Sequence, residues 1–343
     1  MKRCRVLVLM HEALVPPASI KGVSAKEMAE WKTEYDVVAG LTNLGHDARP
    51  LGVSNDLGVL RDAIVDWKPH VHFNLLEEFH GVTLYDTHVV SYLELMQQSY
   101  TGCNPRGLML SHDKALSKKI LSYHRIAVPD FAVYPIGRVV KPLRRLQFPL
   151  LVKSTTEEAS LGISQASIVT NDEKLKDRVA FVHEQVRTDA LVEEYIEGRE
   201  LYVGVMGNMR LRTLPVWEMV FTKMADGLAR IATAKVKWDH DYQARHGIMT
   251  CAAADLPDGV AERLPRLCKR IYRILGLSGY ARLDFRLNEE GKVYLLEANP
   301  NPNLAYGEDF AESANAAGMG FEELLQRIVN LGLGYRANWK EYY

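Results

Sequence analysis

The sequence predicts a protein of mixed α/β and α+β class, and three observations carry that prediction. The first hundred residues alternate strand-like and helix-like segments, which is typical of an open, mostly parallel sheet. An apolar run ending in Lys153 indicates a buried strand in a second unit. Residues 280–299 alternate apolar and charged side chains with a period of two, as half-buried strands do. A chain of 343 residues is long enough for two or three domains.

The N-terminal part is predicted to begin with a buried strand at residues 5–10. Ser24 and Glu27 have the spacing of a capping box, so we expect a helix from there to about Leu44, with Gly45 at its end. Further strands are predicted at 48–53 and 70–75, and helices at 57–67 and 86–97. Residues 100–105 are predicted to form a last strand and a turn that close this domain.

The rest of the chain is predicted to contain two further units that mix helices and strands. Besides the hairpin near the C-terminus, the predicted strands are 148–153, 163–169, 191–196 and 201–206. The predicted helices are 112–124, 172–187, 260–275 and 321–331.

The hairpin is the most informative part of the sequence, because its period also predicts which residues pair. If residues 288–291 form a four-residue loop, Arg282 lies opposite Glu297 and Asp284 lies opposite Leu295. All the charged residues of the first strand then project from one face, and the apolar residues project from the other.

The charged face of this hairpin predicts a metal site. Asp284, Glu297 and Asn299 supply two carboxylates and an amide oxygen beside Arg282, which suits a hard cation that bridges phosphate oxygens. The alternative is an ordinary amphipathic hairpin whose polar face is only solvated. The two prolines within residues 299–303 favour the metal site, since they predict a stiff segment outside the strand ladder.

Composition excludes several other classes of protein. Hydrophobic residues make up 47% and charged residues 25% of the chain, as in globular proteins, and the net charge of −1 argues against a nucleic-acid partner. The N-terminal apolar run is too short for a signal peptide, and no stretch is long enough to span a membrane. The four cysteines lack metal-type spacing and fit free thiols, so we expect a cytoplasmic location.

Two lysines lie where a phosphate could bind. Lys153 ends a buried strand, and the loop at 154–162 offers hydroxyl and backbone N–H groups, although one glycine is a weak signal and an exposed loop is the alternative. Lys114, near the start of a helix, is a weaker candidate. The acidic segment 192–200 is either a turn between strands or a contact for adenine and ribose.

Glu12 and His80 are candidates for a second pocket. Both follow strands of the predicted parallel sheet, and open sheets bind ligands at the carboxyl ends of their strands. A single histidine at such a position is more often structural, so that alternative stays open for His80.

Taken in order, these segments resemble the ATP-grasp superfamily and, within it, the D-alanine–D-alanine ligases. The resemblance covers roughly residues 70–330 and depends on the ordered set of short motifs more than on any one of them. The matching pieces are His80-Gly81, Tyr100-Thr-Gly102, Asp113-Lys114, Val152-Lys153, Glu193-x-x-Ile196 with Glu200, Lys237-Trp-Asp, Arg282-x-Asp284, Leu296-Glu-Ala-Asn299-Pro and Ala316-Ala-Gly318-Met.

The resemblance implies an ATP-grasp fold, in which an N-terminal open-sheet domain precedes two α+β subdomains that clasp ATP. The corresponding boundaries are 1–106, 107–197 and 198–343. It also implies a homodimer, small-molecule carboxylate and amine substrates, and a closing loop, for which residues 230–250 are the candidate.

The resemblance also implies roles for individual residues. Lys114 and Lys153 would bind ATP phosphates, the segment Ser160, Leu161 and Gly162 would cover them, Glu193 and the Ile196 backbone would meet adenine, and Glu200 would meet ribose. Lys237 would reach the γ-phosphate, with Lys235 as a nearby substitute. Asp284, Glu297 and Asn299 would bind two Mg²⁺ ions, or Mn²⁺, and Arg282 would stabilise the transferring group. Glu12 and His80 would be catalytic residues of the second pocket, and Asn303, Glu308 and Asp309 would contact substrate.

Departures from the family pattern predict a different acceptor. Ala159 lacks the hydroxyl that the family places in the phosphate loop, Trp238 replaces a frequent tyrosine, and Asn303 replaces a glycine. Glu308 and Asp309 stand where the family has a Ser-Leu pair that grips the acceptor's carboxylate. Two carboxylates would repel such a group and attract a cation. We therefore expect an acceptor that is basic or that lacks a carboxylate near this point.

Four functions remain open on the sequence alone. The leading one is an ATP-dependent carboxylate–amine ligase that works through an acyl phosphate. The alternatives are a true D-alanine–D-alanine ligase, a small-molecule kinase on the same scaffold, and a non-catalytic nucleotide-binding module. Dependence on an amine distinguishes a ligase from a kinase, and an intact set of charge-stabilising residues argues against a simple binding module.

Overall fold

The computed structural model describes residues 3–17, 19–141, 145–156, 162–224 and 227–337. Its strands form three sheets of three, four and five strands, in chain order from the N-terminus. The N-terminal sheet is parallel and the other two are antiparallel. This confirms the predicted fold class, in which an open parallel sheet precedes two α+β parts.

The N-terminal sheet has the strand order β2-β1-β3, with β1 at Arg5–His11, β2 at Asp47–Val53 and β3 at Val71–Asn74. Its helices are α1 (Ala25–Glu30), α2 (Lys32–Asn43), α3 (Gly58–Trp67) and α4 (Asp86–Leu95). The predicted capping box of Ser24 and Glu27 is present at the start of α1. The predicted single helix is divided at Trp31, and the predicted last strand is only an isolated bridge between His72 and Tyr100.

The central part carries the four-stranded sheet, in the order β4-β7-β5-β6. Its strands are β4 (Phe131–Tyr134), β5 (Leu150–Ser154), β6 (Ile168–Val169) and β7 (Ala190–Glu194), and its helices are α5 (Pro105–His112), α6 (Lys114–Tyr123) and α7 (Asp172–Phe181). The sequence did not predict β4. The predicted strand at 163–169 is mostly a loop and a 3₁₀ turn, and a π-helical turn at Val182–Val186 follows α7.

The C-terminal part carries the five-stranded sheet, in the order β10-β9-β8-β11-β12. Its strands are β8 (Arg199–Met206), β9 (Arg212–Phe221), β10 (Ile248–Ala252), β11 (Tyr280–Leu287) and β12 (Val293–Pro300). Its helices are α8 (Ala234–Trp238), α9 (His240–His246), α10 (Val260–Ile274), α11 (Asp309–Ala316) and α12 (Phe321–Gly334). The sequence analysis missed β9, β10, α8, α9 and α11.

The register predicted for the β11–β12 hairpin is wrong. Arg282 pairs with Asn299 and Asp284 pairs with Glu297, because a bulge between Asp284 and Phe285 leaves an extra residue on β12. The turn is also one residue longer than expected, since Leu287 pairs with Val293. Residues that pair directly in an antiparallel ladder share a face, so the corrected register still places Asp284 and Glu297 on the same side of the sheet.

Packing joins the two ends of the chain and leaves the central sheet with a core of its own. Side chains of α12 such as Leu325 and Ile328 pack in one cluster with Val8 of β1 and Phe73 of β3. The central sheet packs instead against α7, in a separate cluster that includes Val152. The N-terminal and C-terminal parts therefore form a common support for any site between them.

Two further expectations concern membrane-spanning helices and the state of the cysteines. Across the part of the chain that the structure describes, no helix is both long enough and apolar enough to cross a bilayer. All four cysteines lie within the described residues as thiols and not as disulfides, and three of them are buried.

Candidate functional site

The charged face of the hairpin brings the predicted metal ligands together. Arg282 donates from Nε and Nη2 to the two carboxylate oxygens of Asp284, at 2.8 and 2.9 Å. Asn299 donates from Nδ2 to Asp284 Oδ2 at 2.9 Å. Asp284 is buried, and the guanidinium of Arg282 also lies over the ring of Tyr202. The residues predicted from the period of two are therefore direct neighbours.

The two carboxylates of this face differ in how readily they ionise. Burial raises the pKa of Asp284 to about 6. The positive charge of Arg282 opposes this increase, and the negative charge of the adjacent Glu297 adds to it. Burial also acts to raise the pKa of Glu297, but surrounding lysines, Lys114 first among them, outweigh it and lower that pKa to about 2. A cation between the two carboxylates would favour the ionised form of both.

The donor set of the hairpin fits a hard divalent cation. Asp284, Glu297 and Asn299 offer two carboxylates and an amide oxygen, which are the oxygen ligands that Mg²⁺ takes. Within the described residues, no group of three or more His, Cys, Asp and Glu side chains could hold a metal ion. The third oxygen here comes from an amide, so this site depends on Asn299 and leaves coordination positions for water and phosphate.

Three predicted lysines surround the carboxylates. Lys114 is the first residue of α6, where Asp113 caps the helix, and its Nζ lies 3.9 Å from Glu297 Oε2. Lys153, in β5, is buried, and Lys237, in α8, contributes to the low pKa of Glu297. Lys235 is exposed on the same helix as Lys237. The structure therefore places Lys237 beside the acidic pair, and not its neighbour Lys235.

Glu193, which the resemblance assigns to adenine, is held between two lysines. Its carboxylate oxygens lie 2.8 Å from Lys153 Nζ and 3.0 Å from Lys118 Nζ. The sequence analysis missed Lys118. It lies four residues after Lys114 and so on the same face of α6, a spacing that could have identified it.

A small pocket lies between β5, β7 and the C-terminal sheet, and these charges form part of its wall. Lys153, Glu193, Tyr195, Ile196 and Glu200 line it, together with the apolar residues Leu151, Ile163, Ile231 and Leu296. Glu200 accepts hydrogen bonds from the Tyr202 hydroxyl at 2.8 Å and from Arg286 Nη2 at 2.7 Å. Arg286 pairs directly with Glu200 across β11 and β8, and the sequence analysis did not identify it as a site residue.

A larger cleft of about 790 Å³ opens on the other side of Glu297 and Lys237. It receives the three predicted substrate residues, Asn303, Glu308 and Asp309. Arg282 Nη1 lies 3.6 Å from Asp309 Oδ2, so the reactive face of the hairpin reaches into this cleft. Tyr202, Gln243 and Thr250 complete the wall beside Lys237.

The far wall of the cleft comes from the N-terminal domain, through residues that the sequence analysis missed. His11, Glu77 and Glu78 line it, and His11 Nε2 lies 3.3 Å from Glu78 Oε1. Glu12 and His80 are exposed, and neither is among the residues that line the cleft. His80 instead has a left-handed backbone, with φ of 57°, and donates its N–H to the Ser54 carbonyl. The side chains that line the cleft lie at the edge of the sheet named in the prediction, but they are sequence neighbours of Glu12 and His80.

The predicted phosphate loop is only partly described. Ser160, Leu161 and Ala159 lie outside the described residues, as does the side chain of Trp238. Gly162 is described; it has φ of +72°, and its carbonyl accepts from Arg178 Nη2. Arg178 also donates to Ser167 Oγ at 2.8 Å, so α7 fixes the end of this loop.

Comparisons with known proteins agree with this geometry. A family model described as the D-ala D-ala ligase C-terminus matches residues 122–330. The chain is 30% identical to a D-alanine–D-alanine ligase of Desulforudis audaxviator, over 90% of this chain and 95% of that one. It is also 30% identical to protein y4sG of Sinorhizobium fredii, over 86% and 85% of the two chains. A Bacillus anthracis D-alanine–D-alanine ligase structure, complexed with ATP, superimposes with a TM-score of 0.75 at 23% identity, covering 96% of this chain and 98% of that one.

Proposed function

Because the chain belongs to the D-alanine–D-alanine ligase family and is an ATP-dependent ligase of the ATP-grasp fold, we propose that it joins a carboxylate to an amine through an acyl phosphate, with an acceptor other than D-alanine. The observation that carries the proposal is the position of the charged hairpin face. Arg282, Asp284, Glu297 and Asn299 lie between a pocket suited to a nucleoside and a cleft suited to the other substrates.

The nucleotide would lie with its base and ribose in the small pocket and its phosphates toward the lysines. The apolar walls and the backbone of Ile196 suit adenine, and Glu200, already oriented by Arg286, suits the ribose hydroxyls. Lys114, Lys153 and Lys237 would bind the phosphates. In phosphoryl transfer the protein mainly positions groups and neutralises charge, which accounts for the number of cations.

Asp284, Glu297 and Asn299 would hold Mg²⁺, and we propose two ions, with Mn²⁺ as a substitute. When bound, the metal neutralises phosphate charge and orients the triphosphate. The contribution of Arg282 is separate from that of the metal. Its guanidinium is held by Asp284 and extends into the cleft through the contact with Asp309. There it would stabilise the negative charge that develops on the phosphoryl group during transfer.

The reaction has two steps. A substrate carboxylate oxygen attacks the γ-phosphorus, the bond to ADP breaks, and an acyl phosphate forms. The amine then attacks the acyl carbon, and phosphate leaves together with a proton from the amine. The intermediate reacts with water, so it must be shielded. Residues 230–250 form α8, α9 and the start of β10, and they border the cleft through Lys237, Gln243 and Thr250.

The acceptor is proposed to be a cation, because carboxylates outnumber cations in the large cleft. Glu77, Glu78 and Glu308 line it, and so does Asp309, which lies beside Arg282 of the hairpin. Contacts between exposed charges are screened by water and are each worth about 1 kcal/mol or less. Several such contacts together would repel the α-carboxylate of D-alanine and attract a second ammonium group.

The test is phosphate release with candidate carboxylates and three kinds of amine: D-alanine, a neutral amine and a diamine or basic amide. We expect amine-dependent turnover that is fastest with the cationic amine, and an acyl hydroxamate when hydroxylamine replaces the amine. Efficient formation of the D-alanine dimer would contradict the proposed acceptor. Release of ADP without any dependence on an amine would indicate a kinase.

We also propose a homodimer, which the family resemblance implies, and a cytoplasmic location, which the four cysteine thiols favour.

A further inference from the structure

One wall of the large cleft is apolar, and neither phosphoryl transfer nor a cationic acceptor accounts for it. Met219 of β9, Ile248 of β10 and Val236 of α8 line the cleft. Together with Tyr202 they form one cluster of buried apolar side chains. Tyr202 pairs directly with Asp284 across β8 and β11, so this cluster shares the face of the sheet that carries the charged hairpin residues.

The N-terminal domain adds apolar side chains from the opposite wall. Leu14 lies in the 3₁₀ turn that follows β1, and Leu75 lies directly after β3. Both line the cleft, and both are half-buried, so they keep surface that a ligand could cover. A ligand in the cleft could therefore bury apolar groups against two walls, beside the acidic residues Glu77 and Glu78.

The apolar wall begins next to the residues that we propose for phosphoryl transfer. Val236 directly precedes Lys237, and Lys237 lines both the nucleotide pocket and the cleft. The acyl phosphate would form within reach of Lys237 and Glu297, which is the other residue common to both. The described residues Met219, Ile248 and Val236 do not line the nucleotide pocket. They are therefore available to the group that is attached to the reacting carboxylate.

The cleft is also large for a site that holds two small amino acids. Its volume of about 790 Å³ lies toward the upper end of the range of about 300–1,000 Å³ that is usual for sites of drug-sized ligands. Each methylene group of a ligand that leaves water for an apolar wall strengthens binding by about fourfold. A substrate that ended in a methyl group would leave most of this wall in contact with water.

We propose that the carboxylate substrate carries an aliphatic or aromatic side chain larger than a methyl group, and that this side chain lies against Met219, Ile248 and Val236. The inference rests on the proposed function, since it assumes that the acyl phosphate forms beside Lys237. It deepens that proposal by assigning both parts of the cleft. The acidic residues such as Glu308 receive the acceptor, and the apolar wall receives the side chain of the carboxylate substrate.

The experiment measures the formation of acyl hydroxamates from MgATP and a series of acids, with hydroxylamine as the acceptor throughout. The hydroxylamine nitrogen attacks the acyl carbon in place of the amine, and phosphate leaves. A fixed acceptor separates the preference for the acid from the preference for the amine. The acids are alanine, 2-aminobutyrate, norvaline, leucine and phenylalanine, each as both enantiomers. Asparagine is included because it has nearly the shape of leucine but is polar.

We expect kcat/KM to rise by about tenfold or more from alanine to leucine in the better enantiomer, since three further carbon atoms leave water. Leucine should exceed asparagine by about tenfold, because the amide of asparagine would have to be removed from water against an apolar wall. The comparison with asparagine separates an apolar site from one that selects only for size.

Thr250→Phe tests where the side chain of the substrate lies. Thr250 pairs with Met219 and lines the cleft, so a phenyl ring at this position would fill the space beside the apolar wall. Phenylalanine is favoured in strands. We expect the ratio of kcat/KM for leucine to that for alanine to fall by about tenfold.

Thr213→Phe is the matched control, because it makes the same substitution in β9 of the same sheet. Thr213 is also half-buried, but it is not among the residues that line the cleft. Its ratio of leucine to alanine should equal that of the wild type.

Two results would overturn the inference. One is use of alanine or asparagine by the wild-type protein as readily as leucine, a measurement that does not depend on the folding of any variant. The other is a ratio of leucine to alanine that Thr250→Phe and Thr213→Phe leave equally unchanged. The absence of hydroxamate and of ADP with every acid would instead count against the proposed function, so the two failures are distinguishable.

Discussion

The two sides of the hairpin, which we propose for the nucleotide and for the other substrates, differ in how their charges are arranged. On the nucleotide side the charges are buried and matched, as in the pairing of Glu193 with Lys118 and Lys153. On the substrate side the carboxylates line an open cleft, and the side chain of Glu78 remains 39% exposed. The first arrangement fixes a geometry for one ligand, whereas the second sets an electrostatic preference that water and salt can screen.

Glu297 and Lys237 line both regions and therefore join them. This arrangement suits the proposed division of roles, in which one side binds the nucleotide and the other side sets the preference for the acceptor. Buried pairs tolerate little change, because removal of one partner leaves an uncompensated charge. An exposed carboxylate at the rim of a cleft can be replaced at small cost to folding, so the substrate side is free to diverge within a family.

The largest expected effect belongs to Glu297, where the two regions meet. Glu297→Gln removes a metal ligand and the counter-charge of Lys114, and we expect turnover to fall by about a thousandfold or more. Phosphate release and circular dichroism melting measure activity and folding separately. Glu290→Gln, in the exposed turn of the same hairpin, is the matched control and should behave like the wild type. Unchanged turnover in Glu297→Gln would refute the metal assignment.

The next effect separates the two lysines of α8. Lys237→Met should lower kcat by about a hundredfold, because it removes a cation from the junction of the two regions. Lys235→Met should stay within about twofold of the wild type, since this side chain is exposed. Steady-state kinetics on both variants makes the comparison. Equal losses in the two variants would show that Lys237 has no special position.

The smallest expected effect tests the open cleft. Glu308→Gln should lower kcat/KM for a cationic amine by about fivefold and leave a neutral amine unaffected, as loss of one exposed charge contact predicts. The preference should also weaken as salt is raised. Glu322→Gln, on the exposed face of α12, is the control. An equal loss of kcat/KM with both amines would mean that Glu308 does not discriminate between cationic and neutral acceptors.

The local pattern of the sequence was sufficient to predict the charged face of the hairpin, but not which residues of β11 and β12 pair with each other. Alternation along β11 and β12 placed Asp284 and Glu297 on one side, because strand periodicity is a local property. The bulge beside Asp284 and the longer turn shifted the ladder by more than one residue. A bulge of this kind depends on contacts with the rest of the protein, and the alternation alone does not reveal it.

Partners that come from distant parts of the chain were mostly missed. Lys118 could have been found from its spacing to Lys114, but its partner Glu193 lies on another element. His11 and Glu78 were missed although their neighbours Glu12 and His80 were chosen, because the orientation of a side chain at the end of a strand depends on the turn that follows. Arg286 was seen as one charge of an alternating strand, and only the pairing of β11 with β8 gave it Glu200 as a partner.

The sequence by itself determined the fold class, the order of the motifs and the side chains that we propose for metal and phosphate binding. These depend on periodicity, capping and short motifs, all of which act over a few residues. The tertiary structure alone decided the register of the hairpin, the pairing of Glu193 with two lysines and the acidic lining of the cleft. Those features depend on packing between elements that are far apart in the chain. The electrostatic environment of each side chain is therefore set by its neighbours in space and not by its neighbours in sequence.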